Sequence, residues 1–325
     1  MNIITITLNP AFDVHCFAEH FNPFHENLAR ITDKSAGGKG VNISRALTAN
    51  GVENTALVVL GDENADDFRR CLSEYGMNVK EIVVKGRIRE NLTLHTSDSP
   101  ETRISFAGFD ADDTLLKKVE EALEGMLDCE TVVTFTGRIP EGITLTAVKK
   151  MLIGMKNKGA KIVIDSKSFG IQDLIDCRPW LIKPNDEEIV DYCDSKIDSL
   201  EDAANAAEKL RALGIENVMI SLGYKGAVLV CEDGRLAARA PSVEVLSTIG
   251  AGDSSIGGFV AAFKNGGTYS DMLKCAVCYG SAACMTRGTE PPLKQDVEEL
   301  LKQVDIKNGS IINVGVKPTD IANKK

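Results

Sequence analysis

From residue 112 onward the apolar residues switch between two spacings, and this alternation constrains the fold more than any other feature. Helix-length patterns over 112–127, 142–157, 200–213, 252–264, 269–286 and 293–303 alternate with short strand-like runs at 131–135, 161–165, 181–182 and 217–221. Strands alternating with long helices predict an α/β fold, a mostly parallel sheet covered by helices on both faces. Residues 226–231 and 235–240 differ: they predict an antiparallel pair about Asp233-Gly234. With 325 residues, 43% of them hydrophobic, the chain can fill one large core or two smaller ones. It shows no internal repeat or low-complexity linker, and the tail beyond Ile312 reads as frayed.

The first third has a different texture. Residues 3–8 read as a buried strand ending at Asn9-Pro10, 56–60 as a strand, 64–75 as an amphipathic helix and 82–84 as a short strand. Between and after them lie short alternating pieces: Val14–Phe17, 28–33, 87–95 and 102–106, the last two joined by a turn at 97–101. Together these predict a small sheet outside the main core. His15, His20 and His25 fall here, but a spacing of five suits no pair of helical metal ligands.

Charge and cysteine use remove several function classes. A formal net charge of -10 leaves a surface that repels nucleic acid and anionic membrane. No run of about 18 apolar residues predicts a membrane span. The start, Met1 to Leu8, is strand-like and carries no basic leader pattern. Nine scattered cysteines predict reduced thiols in a cytoplasmic protein. Cys275, Cys278 and Cys284 share a helical pattern without partners for zinc or redox chemistry, and read as small core residues.

The chemistry concentrates in a few turns. Gly250-Ala251-Gly252-Asp253 runs straight into a helix. Its glycines permit close approach, and the first helical amides and the helix dipole favour an anion there. Asp253 is placed to take a proton from an attacking hydroxyl. Taken alone, the stretch also reads as an ordinary capped, glycine-rich turn. Ala36-Gly37-Gly38-Lys39-Gly40-Val41-Asn42 is a second glycine turn leading into a helical run at 43–49, and it lacks the frame of a Walker A loop. Thr136-Gly137-Arg138 follows a strand's carboxyl end, where open α/β sheets bind ligands. Lys183-Pro184-Asn185-Asp186-Glu187-Glu188 opens an acidic helix start, and Ser221 to Gly226 forms a turn after a strand.

These motifs, in this order, resemble the ribokinase-like (phosphofructokinase-B) carbohydrate kinases over roughly residues 3–303. Asn9-Pro10-Ala11 with Asp13, the Gly37-Gly38-Lys39-Gly40 frame with Asn42, Arg89 with Asn91, and Gly288-Thr289 resemble the 1-phosphofructokinase and tagatose-6-phosphate kinase branch. The resemblance implies a single three-layer kinase domain over 1–325, with a β-sheet lid from segments near 12–33 and 87–107. It implies Gly250, Ala251 and Gly252 as an anion hole and Asp253 as catalytic base. It puts Asp13, Gly37, Gly38, Lys39, Asn42 and Arg89 at the sugar, and Lys183, Asn185, Ser221, Gly223, Gly226 and Gly252 at ATP. Glu188 would act on Mg²⁺ through water. Independently of the resemblance, the apolar face and edges of such a small outer sheet need cover, which predicts a homodimer joined lid to lid. The expected reaction is ATP-dependent phosphorylation of a phosphorylated ketohexose, with fructose 1-phosphate going to fructose 1,6-bisphosphate. Tagatose 6-phosphate or an unphosphorylated sugar are the alternatives.

Three positions depart from the branch: Thr93 stands where lysine is usual, Arg138 where serine is, and Arg103 where an acidic residue is. Arg103 and Arg138 are accordingly candidates for the acceptor's phosphate, or else surface ion-pair residues. A non-catalytic sensor is disfavoured by the presence of Asp253. A dinucleotide oxidoreductase is disfavoured because no Gly-x-Gly-x-x-Gly follows the first strand.

Overall fold

The computed structural model describes residues 1–98, 101–193 and 197–308. The tail expected to fray beyond Ile312, and part of the turn at 97–101, lie outside the described residues. In chain order the elements are β1 (Asn2–Thr7), β2 (Ala11–Phe17), β3 (Arg30–Gly37), α1 (Lys39–Ala49), β4 (Thr55–Gly61), α2 (Ala65–Ser73), β5 (Val79–Val84), β6 (Arg89–His95), β7 (Thr102–Ser105), α3 (Thr114–Ala122), β8 (Thr131–Thr136) and α4 (Leu145–Asn157). They continue with β9 (Lys161–Asp165), α5 (Ile171–Cys177), β10 (Leu181–Ile182), α6 (Glu188–Cys193), α7 (Leu200–Ala212), β11 (Asn217–Ser221), β12 (Ala227–Cys231), β13 (Gly234–Ala238), α8 (Ala251–Lys264), α9 (Tyr269–Cys284), α10 (Lys294–Leu301) and β14 (Ile306–Asn308).

Ten of these strands make one sheet in the order β14-β13-β12-β11-β10-β9-β8-β1-β4-β5. It is parallel from β11 through β5 and turns antiparallel at the β12–β14 edge. Each central strand feeds two cores, which is why its apolar run is continuous. Ile3 joins Leu47, Val132 and Phe259 on the face covered by α1, α8, α9 and α10, whereas Ile4 and Ile6 join Phe68, Val133 and Val148 on the other face. The predicted α/β sandwich is therefore present. The remaining strands form a separate sheet, β3-β2-β6-β7, in which β2 and β6 are parallel and the outer pairs antiparallel.

Several boundaries differ from the sequence reading, each for a local reason. The helix expected at 43 begins at Lys39, because Gly38 takes φ 114° as its cap and Gly40 continues the helix. The strand expected at 28–33 runs instead over Arg30–Gly37, its register set by pairing with β2. The 112–127 helix shortens to Thr114–Ala122 and gives way to turns. The short helix α5 and the strand β14 carried too little periodicity to be anticipated. Cys278 is buried in the core, and burial pushes the Cys275 and Cys278 thiols up to about 11 and about 12, which suits packing rather than redox chemistry.

Two helices matter most for the site. α8 lies between α1 and α9, and adjacent glycines bring it close to both. A Cβ on Gly257 would lie 3.5 Å from Ala46 Cβ of α1, and one on Gly258 would collide with the Cys275 carbonyl of α9. The amino ends of α1 and α8 therefore arrive side by side at the carboxyl edge of the sheet.

Candidate active site

Thr7, Thr136, Asp165, Ile182 and Ser221 end neighbouring strands at that same edge, so the loops after them share one crevice. Into it α8 delivers Asp253 from its first turn, with Gly250 as cap in the left-handed region at φ 79°. Ser254 N closes the first helical bond to Gly250 O at 2.8 Å, while Ala251 N is stretched to Thr248 O at 3.4 Å. The first amides of a helix have no partner within it, so this turn offers donors to an anion.

Asp253 is buried and accepts a hydrogen bond from Asn42 Nδ2, on the first turn of α1, at 2.9 Å. Lys39, the first residue of α1, donates to Asp165 Oδ2 at 2.9 Å. Lys183 follows β10, and its Nζ would lie 3.2 Å from a Cβ on Gly252, so that glycine makes room for the ammonium. Two lysines and two carboxylates thus meet with formal neutrality. Burial pushes the Asp253 carboxyl up to about 6, with Lys39 pulling it down and Asp165 adding to the rise. Burial also opposes ionisation of Asp165, but Lys183 and Lys39 outweigh it and hold its carboxyl below the usual range. Desolvation works against the Lys39 charge, yet Asp165 and Asp253 keep that ammonium protonated well beyond its ordinary range.

A second cluster sits on the small sheet. Asp13 on β2 stands opposite Asn91 on β6, and Asn91 Nδ2 donates to Asp13 Oδ1 at 2.9 Å. Arg89 in turn donates to Asn91 Oδ1 at 2.8 Å. Gly37 closes over this carboxylate, and any Cβ there would collide with Asp13 Oδ2. Burial raises the Asp13 carboxyl, against the Asn91 hydrogen bond and the charge of His15. Burial, and then the charge of Arg138, hold the Arg89 guanidinium below its ordinary range, with Asp13 acting the other way. Arg89 Nε is buried without a hydrogen-bond partner, as is Asn9 Oδ1 beside it.

On the opposite flank Asn185 Oδ1 accepts from Glu187 N and Glu188 N, and Glu188 Oε2 accepts from Asn185 N at 3.2 Å. Asn185 also bridges to Ser221, which ties the Gly223–Gly226 turn to this cap. A space of about 10 Å³, roughly one water in size, lies among Asp165, Lys183, Glu188 and Tyr192. Among the described residues no group of three or more His, Cys, Asp or Glu side chains is placed to cage a metal. The Glu188 carboxylate and the Asn185 amide oxygen are the side-chain oxygen donors of this cap, a kind of ligand that suits a hard divalent ion.

The structure thus brings together Asp253, Gly250, Ala251, Gly252, Lys39, Asn42 and Lys183, and separately Asp13, Gly37, Asn91, Arg89 and Arg138. Arg103 shares the face of Asn91 through its register opposite Thr93, but its guanidinium pairs with Glu101 at 2.8 Å. Sequence reasoning missed Asp165, whose signal was an acidic residue closing an apolar strand. It also missed Arg45, an arginine inside the apolar pattern of α1. That side chain is fully buried, reaches Ala36 O, Thr289 Oγ1 and Glu290 Oε1, and lies 3.8 Å from the Tyr75 ring centre.

The model of the pfkB family carbohydrate kinases matches residues 11–296. The 1-phosphofructokinase of Escherichia coli (strain K12) is 30% identical over 94% of this chain and 97% of its own length. That of Borreliella burgdorferi is 31% identical over 94% and 98%. Among solved structures, phosphofructokinase-2 from Escherichia coli, in complex with substrates and products, superposes with a TM-score of 0.86 at 23% identity, covering 93% of this chain and 99% of that one. At that identity the likeness is one of fold.

Proposed function

The chain belongs to the pfkB family of carbohydrate kinases, and we propose that it moves the γ-phosphoryl group of ATP to a hydroxyl of a phosphorylated ketohexose, fructose 1-phosphate being converted to fructose 1,6-bisphosphate. The observation that carries the reading is the Asp253 carboxylate, buried beside the amide-lined turn of α8 and within reach of Lys39 and Asn42. There Asp253 takes the proton of the acceptor hydroxyl, the oxygen attacks the γ-phosphorus, and ADP leaves. The amides of Gly250 to Gly252, with Lys39 and Lys183, meet the charge on the phosphoryl group in flight. Asn185, Ser221, Gly223 and Gly226 line the nucleotide side. Mg²⁺ would arrive on the nucleotide and neutralise phosphate charge, with Glu188 orienting its water.

The choice of a phosphorylated acceptor rests on the names of the relatives and on Arg89 and Arg138, two guanidinium groups of which the second makes the charge of the first costlier to hold. A dianion between them would remove their repulsion and satisfy the orphaned Arg89 Nε. We assign the small sheet as a lid of a single kinase unit, with Asp13 and Gly37 at the sugar. Its other face exposes Ile31 and Ile104, with Phe106 just beyond β7, which supports a homodimer through the lid. For phosphofructokinase-2 from Escherichia coli a tetrameric inhibited form has been solved. The nine cysteines favour a reducing, cytoplasmic setting. An ADP-release assay across fructose 1-phosphate, tagatose 6-phosphate, fructose 6-phosphate and free hexoses tests the reading. Fructose 1-phosphate should give the highest kcat/KM, and equal turnover of a free hexose would overturn the phosphorylated acceptor.

A further inference from the structure

The fully buried guanidinium of Arg45 takes no part in the reaction described above. A buried charge is unfavourable unless partners replace its lost water, so its partners show what it holds together. They come from three segments besides α1. On β3, Ala36 O lies 3.4 Å from Arg45 Nη1. In the turn between α9 and α10, the same nitrogen reaches Thr289 Oγ1 at 3.5 Å, and Nη2 donates to Glu290 Oε1 at 3.1 Å. After α2, the Tyr75 ring covers the guanidinium with its centre 3.8 Å away, and Tyr75 Oη lies 3.5 Å from the same Glu290 oxygen.

Two of these contacts bear on the small sheet. β3 is one of its edge strands, and Arg30 to Lys34 on it are exposed. Of β3 only Ser35, Ala36 and Gly37 are buried, so the strand joins the body where Arg45 takes its carbonyl. Phe12 pairs with Ala36 and Asp13 with Ser35, so a shift of this end of β3 carries Asp13 with it. The next residue, Gly37, closes over Asp13 Oδ2. The α9–α10 turn touches β2 as well, for a Cβ on Gly288 would lie 3.2 Å from His15 Nε2. The Arg45 cluster therefore ties both β2 and β3 to the body. α1 itself is fixed elsewhere, by the 3.0 Å hydrogen bond between Ser44 and Thr5 of β1 and by Gly257 of α8 against Ala46. When the guanidinium is lost, the side free to shift is the small sheet. Charge acts in the same direction: burial raises the Asp13 carboxyl, and Arg45, like Arg89, draws it back towards the ionised form.

We propose that Arg45 is a positioning residue for the acceptor: from inside α1 it sets the small sheet against the body and so fixes Asp13 and Gly37 where the sugar binds. The proposal rests on the reading that Asp13 and Gly37 meet the sugar. None of the partners named above belongs to the flank of Asn185, Ser221 and Gly223, which is read as the nucleotide side. Loss of the guanidinium should therefore raise the KM for the acceptor and leave the KM for ATP level.

The test uses the full-length protein with fructose 1-phosphate, or with whichever sugar the ADP-release assay selects. Arg45→Met keeps much of the side chain's length and removes its charge and donors. It should raise the acceptor KM about tenfold, since a displacement of about 1 Å suffices for a loss of that size, with KM for ATP unchanged. Action through Asp13 is read by a double-mutant cycle: in an Asp13→Asn background, Arg45→Met should change the acceptor KM by less than about twofold. Glu290 is half-exposed, so Glu290→Gln weakens the same cluster from its solvent side and should raise the acceptor KM about threefold. An unchanged acceptor KM in folded Arg45→Met, equal rises for both substrates, or additive effects in the cycle would overturn the inference and leave the kinase reading standing. If Arg45→Met does not fold, Glu290→Gln decides, and an unchanged acceptor KM there overturns the inference. A wild type that turns over no sugar or sugar phosphate overturns both.

Discussion

Burial and ionisation make opposite demands on Asp253. Its carboxyl is raised to about 6 by desolvation, near the pH at which a general base works best. Turnover should therefore fall as pH drops through about 6. Asp253→Asn should keep the fold and nucleotide affinity but lower kcat by roughly 10²–10⁴-fold; near-normal turnover would remove Asp253 from the role of base. The same shift has a stability sign. The folded state holds this proton more tightly than the unfolded chain, so the contribution of Asp253 to stability falls as pH rises from about 4 to about 6. Denaturant unfolding at pH 4 and pH 6 should show the stability difference between wild type and Asp253→Asn moving against the wild type by about 2–3 kcal/mol over that interval; an unchanged difference would mean the carboxyl is not raised. Across the crevice, Arg89→Ala or Arg138→Ala should raise the acceptor KM about 10- to 100-fold, one charge-assisted contact each, with KM for ATP unchanged. A free sugar that responds equally to both variants would show that these arginines do not grip a phosphate.

At the scale of elements, the site depends on how closely two helices are brought together. α8 carries Asp253 and α1 carries Lys39 and Asn42, and Gly257 and Gly258 let α8 sit against α1 and α9. Gly258→Ala forces a methyl group into the Cys275 carbonyl and should cost about 1–3 kcal/mol in denaturant unfolding. It should also lower kcat, because the Asn42–Asp253 contact stretches as α8 shifts; a variant as stable as wild type would mean that α9 yields freely. The acidic cap before α6 gives a second prediction at this scale. Glu188 bonds the Asn185 amide through one oxygen, and its other oxygen lies 3.6 Å from Lys167. Glu188→Gln preserves the cap but removes the charge, and should raise the Mg²⁺ concentration for half-maximal rate; an unchanged requirement would exclude the carboxylate from the ion's hydration shell.

For the whole molecule, the separate small sheet is the feature with the largest consequence. Ile31 is 67% exposed and Ile104 46% exposed on the face away from Asp13, and Phe24 and Leu28 in the β2–β3 connection are 89% and 95% exposed. So much apolar surface on one sheet calls for cover. Light scattering at micromolar concentration should report a dimer, and Ile31→Glu together with Ile104→Glu should return it to a monomer with the main sheet intact by circular dichroism. A wild-type monomer would refute the lid interface.

The local pattern alone determined the layered α/β architecture, since the alternation of strand and helix periods survives any detail of packing. It likewise located the glycine turn before Asp253 and the Gly37-Gly38-Lys39 frame, because the backbone freedom they need is written in the residue type. It could not place Asp165 against Lys39, bury Arg45, or stack His15 on His95. Those pairs are 126, up to 245 and 80 residues apart in sequence, and form only once the parallel order and strand register are fixed. Nor could residue type say that Arg103 turns to Glu101 while the charge of Arg138 acts on Arg89. The same side chain is a ligand clamp or a surface ion pair according to which neighbour the fold supplies, and that choice belongs to the tertiary structure.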